Sequence, residues 1–107
     1  MTSYNLINGR HSSEREDLIG NILRCEFGFK GIVMTDWVIN GGTINKTSHY
    51  PGAKAWKTVA AGSNLFMPGS KRDCRNVLSA LHNGDISREC LETNVATVIR
   101  KIHELAK

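Results

Sequence analysis

The chain opens with loosely alternating β-formers in "MTSYNLI", which predicts a short strand closed by a turn at Asn8-Gly9. The pattern then changes period. Ser13 with Glu16 three residues on reads as a capping box, and acids crowd the first turn, where the helix dipole favours them. Leu18, Ile19, Ile22 and Leu23 follow on one face of a helix that should stop at Gly28. "KGIVMTD" is a continuous apolar run ending in an acid, the pattern of a parallel strand covered on both faces.

Polar residues, glycine and threonine then mark a long loop from Val38 to about Pro51, and loops of that length are often functional. A short helix is expected from about Ala53 to Ala61, ending at Gly62, followed by a strand in "SNLFMPG" closed by Pro68-Gly69. Cys74, Val77, Leu78 and Leu81 form a helical stripe that stops at Asn83-Gly84. Leu91, Val95, Val98, Ile102 and Leu105 form a second stripe, predicting a helix from about Ser87 to Ala106.

The order is strand, helix, strand, helix, strand, helix, helix. It implies an α/β fold of parallel strands with right-handed crossovers. Three such strands leave both sheet edges open and need helices on both faces. The pattern therefore belongs either to a piece of a larger α/β fold or to a sheet completed by a second copy.

Length and composition narrow this further. The chain has 107 residues, which suits one domain, and no apolar run is long enough to span a bilayer. No membrane partner is therefore expected. The net charge of +4 is spread along the chain without a basic run or a nucleic-acid motif, so no nucleic-acid partner is expected either. Cys25, Cys74 and Cys90 are far apart and form no CxxC pair. Buried reduced thiols are the expectation, in a reducing and hence cytoplasmic setting. His11, His49, His82 and His103 show no ligand spacing, so neither a metal nor another cofactor is expected.

The acid at the end of the apolar run needs a purpose. Read alone, Asp36 is either a cap after a strand or a functional carboxylate. Trp37 is either a rim aromatic or a ligand wall, Tyr4 an interior strand tyrosine or a hydrogen-bonding group, and Met67 a core or a pocket residue.

Four blocks, in order, resemble glycoside hydrolase family 3, the β-glucosidase and β-xylosidase group. "MTSYNLING" resembles the sixth strand of that family's catalytic barrel, and "LRCEFGFKGIVMTDW" the stretch around the nucleophile on the seventh. "AAGSNLFMPG" resembles the eighth strand, and "NGDISRECLETNVATVIRKI" the helix that closes the barrel. The resemblance implies a parallel βαβαβα segment, about the last three βα units of a TIM-type barrel, with residues 1–107 forming part of the catalytic domain.

It also implies a chemistry. Retaining glycosidases use a nucleophile and an acid/base whose carboxyl groups lie about 5–5.5 Å apart. Barrel active sites lie at the C-terminal ends of the strands, which is where Asp36 falls. By resemblance Asp36 is the nucleophile, Trp37 a sugar-binding wall, and Tyr4 a glycone-subsite phenol that supports the ionised carboxylate. Met67, from the strand that resembles the eighth, is expected either to line the same pocket or to pack in the core. The implied partner is a terminal non-reducing β-D-glucoside or a related oligosaccharide. Asn5, Asn8 and Gly9 read as turn-formers, and Glu14, Glu16 and Asp17 as a helix start.

Three departures qualify the resemblance. The family's first five barrel strands, with most glycone-binding groups, have no counterpart here, nor does the acid/base. Asn64 stands where the family usually has aspartate, which predicts weaker local hydrogen bonding near the barrel end. The "VINGG" segment after Trp37 also differs. The isolated chain is therefore expected to be inactive. A non-catalytic, self-associating α/β module is the alternative. A flavodoxin-like nucleotide binder fits the βαβ order but lacks a Gly-rich phosphate loop.

Overall fold

The structure, a computed structural model, describes residues 1–40 and 50–107. Most of the expected loop between Val38 and Pro51 lies outside the described residues. Strands β1 (Leu6–Ile7) and β2 (Arg10–His11) form an antiparallel hairpin. Its turn is Asn8-Gly9, with φ of 51° and 77°. Positive φ at both central residues matches the twist of a two-residue hairpin, so the turn forms where the sequence places it. This corrects the expectation of a first strand in a three-stranded parallel sheet: the described strands form this hairpin and one separate parallel pair, and no strand forms over residues 1–5. That segment instead runs beside the next strand, where the Thr2 N–H donates to the Met34 carbonyl at 2.8 Å.

A 3₁₀ turn at Ser12–Glu14 leads into a π-wound helix, Asp17–Glu26. The expected capping box is absent. Ser13 sits inside the 3₁₀ turn, its Oγ buried without a partner, and Glu16 caps the helix through backbone alone. Arg15 instead ties the entry together by pairing with Asp17 and donating to the Ile7 carbonyl at 2.9 Å.

The π winding decides which side chains face inward. The Phe27 N–H reaches back to the Ile22 carbonyl at 3.0 Å, an i→i+5 bond. Residues five apart then share a face. Ile19 and Arg24 both lie over Gly62, and Ile22, expected to be buried by the 3.6 period, is exposed. A Cβ on Gly62 would meet Ile19 Cγ2 at 3.1 Å, and its φ of +108° already excludes most side chains. Gly28, at φ +66°, follows the helix end as expected.

Strand β3 (Met34–Trp37) pairs in parallel with β4 (Leu65–Met67). Helices α1 (Ala55–Ala61), α2 (Lys71–Asn83) and α3 (Arg88–Leu105) complete the described elements. Ser70 and Ser87 cap α2 and α3 by accepting from the Asp73 and Cys90 N–H groups. Gly62 and Gly84 close α1 and α2 in the left-handed region.

Among the described residues, helices cover only one face of the sheet. Val33 packs with Ile19 and Ala61, and Thr35 is buried on the same side. Alternation puts Met34 and Asp36 on the other face, where both are half-buried. This corrects the expectation of a strand covered on both sides. The larger cluster joins Ala55, Val59, Val77, Ala80 and Ile86 between α1, α2 and the start of α3.

The α3 stripe forms as expected but is not buried along its length. Val95, Ile102 and Leu105 are exposed, because the helix runs past the body that its first turns pack against. The thiols also differ from expectation. All three are free, but Cys25 and Cys74 are exposed, and Cys90 is half-buried where it packs against the Ala55–Val59–Val77–Ala80–Ile86 cluster.

Candidate active site

The site lies at the C-terminal end of β3. In register, Met34 faces Leu65 and Trp37 faces Met67, so β3 takes three steps where β4 takes two. The extra residue is a bulge, a device that re-aims side chains beside functional sites. Thr35 makes the bulge possible. Its buried hydroxyl accepts the Met67 N–H at 2.9 Å, replacing the backbone acceptor that the bulge displaces.

Asp36 follows Thr35, and its Oδ1 accepts the N–H of Trp37 at 2.7 Å, which fixes the carboxylate against its own backbone. Trp37 is 55% exposed. Tyr4 reaches this end of the strand from the N-terminal segment. Its hydroxyl donates to the Trp37 carbonyl at 2.8 Å. Burial, then hydrogen bonding and charge from Asp36, push the phenol above its ordinary pKa of 10.0, outweighing a smaller lowering influence of the Trp37 backbone. The phenol therefore senses the carboxylate.

Met67 also reaches the site, but through its backbone. Its carbonyl accepts the Val38 N–H at 2.7 Å. Val38 has a positive φ of 54° although it is β-branched, an uncommon backbone state. Met67, Thr35, Val38 and Pro68 help line a cavity of about 100 Å³. Small-molecule pockets run to about 300–1,000 Å³, so this cavity is too small to hold a sugar. Asp36, Trp37 and Tyr4 make one wall of a site rather than an enclosed pocket.

The structure thus brings all four expected residues, Asp36, Trp37, Tyr4 and Met67, to one strand end. It adds Thr35 and Val38, which carried no recognisable signal beyond a polar residue inside an apolar run and a β-branched residue after it. Glu14 is buried and accepts the Lys54 N–H at 2.6 Å, so it serves the backbone there. Among the described residues, no cluster of three His, Cys, Asp or Glu side chains could hold a metal.

The opposite end of the strands corrects another expectation. Asn64 does not weaken local bonding. Its Oδ1 accepts from Arg24 and from the Val33 N–H, each at 2.9 Å. Its Nδ2 donates to the Asn94 carbonyl at 3.3 Å and to Asn94 Oδ1 at 3.2 Å. An amide fits here because it both accepts from the cation and donates to α3. Asn64 precedes β4, at the end of the strands away from Asp36.

Comparison with known proteins places this arrangement. Residues 1–101 match the family model described as the glycosyl hydrolase family 3 N terminal domain. The chain belongs to glycosyl hydrolase family 3. A probable beta-glucosidase J of Emericella nidulans is 37% identical over 103 residues, covering 95% of this chain and 11% of that protein. A beta-glucosidase of Rhizobium radiobacter is 32% identical over 100 residues, covering 92% of this chain and 11% of that protein. Among solved structures, beta-glucosidase 3B from Thermotoga neapolitana in complex with glycerol superposes with a TM-score of 0.73 at 30% identity. That match covers 91% of this chain and 13% of the solved one. The chain thus spans about a tenth of the length of the relatives it matches.

Proposed function

We propose that this chain is the nucleophile-bearing segment of a retaining β-glucosidase. Its parallel strands, with helices on one face only, support the reading that it supplies about the last three βα units of a (β/α)₈ barrel. The open face carrying Met34 and Asp36 is then the barrel interior. The observation that carries the functional reading is the position of Asp36. It lies at the C-terminal end of a parallel strand in a family member, anchored by its own backbone and flanked by Trp37 and Tyr4.

In this reaction an Asp36 carboxylate oxygen attacks the anomeric carbon of a terminal β-D-glucoside. A covalent glycosyl ester forms as the bond to the aglycone oxygen breaks. The leaving oxygen takes a proton from an acid supplied outside these residues. Water, deprotonated by the conjugate base of that acid, then releases the sugar with retained configuration. The exposed Trp37 ring offers an apolar face to the pyranose, and Tyr4 fixes the backbone beside the nucleophile. Without the acid and the remaining glycone contacts, positioning is incomplete, so the isolated chain should turn over aryl β-glucosides negligibly. Its open sheet edges should favour association.

The test is incubation with a 2-fluoroglucoside bearing an activated leaving group, which needs no acid for the first step, followed by peptide mass mapping. Slow labelling at Asp36, absent in Asp36→Asn, is the expected result. A folded chain labelled elsewhere, or not at all, would overturn the assignment and favour a non-catalytic α/β module.

A further inference from the structure

We propose that Val38 is a positioning residue, whose left-handed backbone sets the direction of the Trp37 ring beside Asp36. The functional part of this inference rests on the reading of Asp36 as nucleophile.

Among the described residues, Asn8 and Val38 are the non-glycine positions with positive φ. Asn8 needs no special cause, since it sits in a tight hairpin turn and asparagine tolerates this region. Val38 is different. A β-branched side chain is disfavoured there, and such states persist only where surrounding structure over-determines them. Side-chain packing does not supply that determination, because Val38 is 39% exposed.

The determination comes from hydrogen bonds on two sides of one peptide unit. Its carbonyl, from Trp37, accepts the Tyr4 hydroxyl at 2.8 Å. Its N–H, from Val38, donates to the Met67 carbonyl at 2.7 Å. Tyr4 comes from the segment beside one edge of β3 and Met67 from the strand on the other. The peptide directly after the expected nucleophile and its tryptophan is therefore clamped across three chain segments.

The clamp ends β3 at Trp37 and turns the chain so that Ile39 is buried while Trp37 stays exposed. Val38 then limits the freedom of this turn in a way that glycine would not. Glycine would adopt the same φ at no steric cost but would also sample many others. Asparagine would hold the left-handed state without the branch.

The experiment uses the Trp56→Phe background, so that Trp37 alone reports. Val38→Gly should keep a cooperative melt, lower the steady-state anisotropy of Trp37, and slow fluoroglucoside labelling of Asp36 by roughly threefold or more. Val38→Asn should restore both readouts towards the parent. Tyr4→Phe, which removes the hydroxyl from the Trp37 carbonyl, should lower the anisotropy by itself. Parental anisotropy in both Val38→Gly and Tyr4→Phe would overturn the proposal. Should Val38→Gly fail to fold, the Tyr4→Phe anisotropy decides it. A folded parent that is never labelled would end the nucleophile reading, while the anisotropy series would still decide the role of Val38.

Discussion

At the entry end of the β3–β4 pair, Arg24 donates to the carbonyls of Gly31 at 3.1 Å and Gly62 at 3.0 Å, and to Asn64 Oδ1 at 2.9 Å. Asn94 continues the network, donating to the carbonyls of Ser63 at 2.7 Å and Val59 at 3.2 Å. At the exit end, Thr35, Tyr4, Val38 and Met67 make bonds to or between backbone groups, and Asp36 and Trp37 project from it. The entry end spends its polar side chains on holding the fold together. The exit end uses polar contacts to aim side chains that the fold itself does not need. Barrel enzymes divide their strand ends in the same way, with stability at one face and chemistry at the other.

The largest effect should come from the entry end. Arg24→Ala removes the common donor for three acceptors on two strand entries. Charge-assisted bonds and stranded acceptors together should cost about 3 kcal/mol in urea denaturation. A cost below about 1 kcal/mol would mean that the guanidinium merely decorates the strand starts. Burial lowers the Arg24 pKa, with the Arg100 charge adding to it. This fits a cation held by carbonyls and an amide rather than by a carboxylate.

Next comes Thr35→Val, which keeps the shape but strands the Met67 N–H at the bulge. The expected cost is about 2 kcal/mol, read from the urea midpoint. An unchanged midpoint would show that the bulge does not depend on the hydroxyl.

Tyr4 tests the exit end through pH. Its phenol is held above 10.0 by burial and by Asp36, so the folded state keeps this proton more tightly than the unfolded chain. The resulting stability is fully present below pH 10.0 and is lost as pH rises through the folded value. Asp36→Asn should lower the Tyr4 titration, followed by phenolate absorbance, and shrink this alkaline loss. A titration unmoved by Asp36→Asn would separate the two groups.

The apolar run ending in an acid singled out Asp36, but a strand cap fitted it equally well until the family resemblance gave it a role. The "MTDW" stretch and its neighbours carried Trp37, and "SYN" carried Tyr4, through the family resemblance. Arg24 was not legible, because a period of 3.6 does not place it with Ile19, whereas π winding does. Thr35 and Val38 act through a register shift and a backbone dihedral, and neither leaves a periodic trace. Met67 was expected as a pocket side chain, yet its clearest contacts are backbone ones made by strand pairing. Asn64 looked like a lost charge because its second partner, Asn94, lies 30 residues away in sequence.

The smallest stability effect should belong to Trp37, and this sharpens the contrast between the two ends. The residue is 55% exposed, and its backbone bonds to Tyr4 and Asp36 do not depend on the indole. Trp37→Ala should therefore shift stability by no more than about 0.5 kcal/mol, as for other surface positions. It should nonetheless slow the labelling of Asp36, since the apolar wall for the sugar is gone. A loss above about 1.5 kcal/mol would instead make Trp37 a packing residue of the rim. The exit end would then share the structural duty of the entry end, and the division between them would fail.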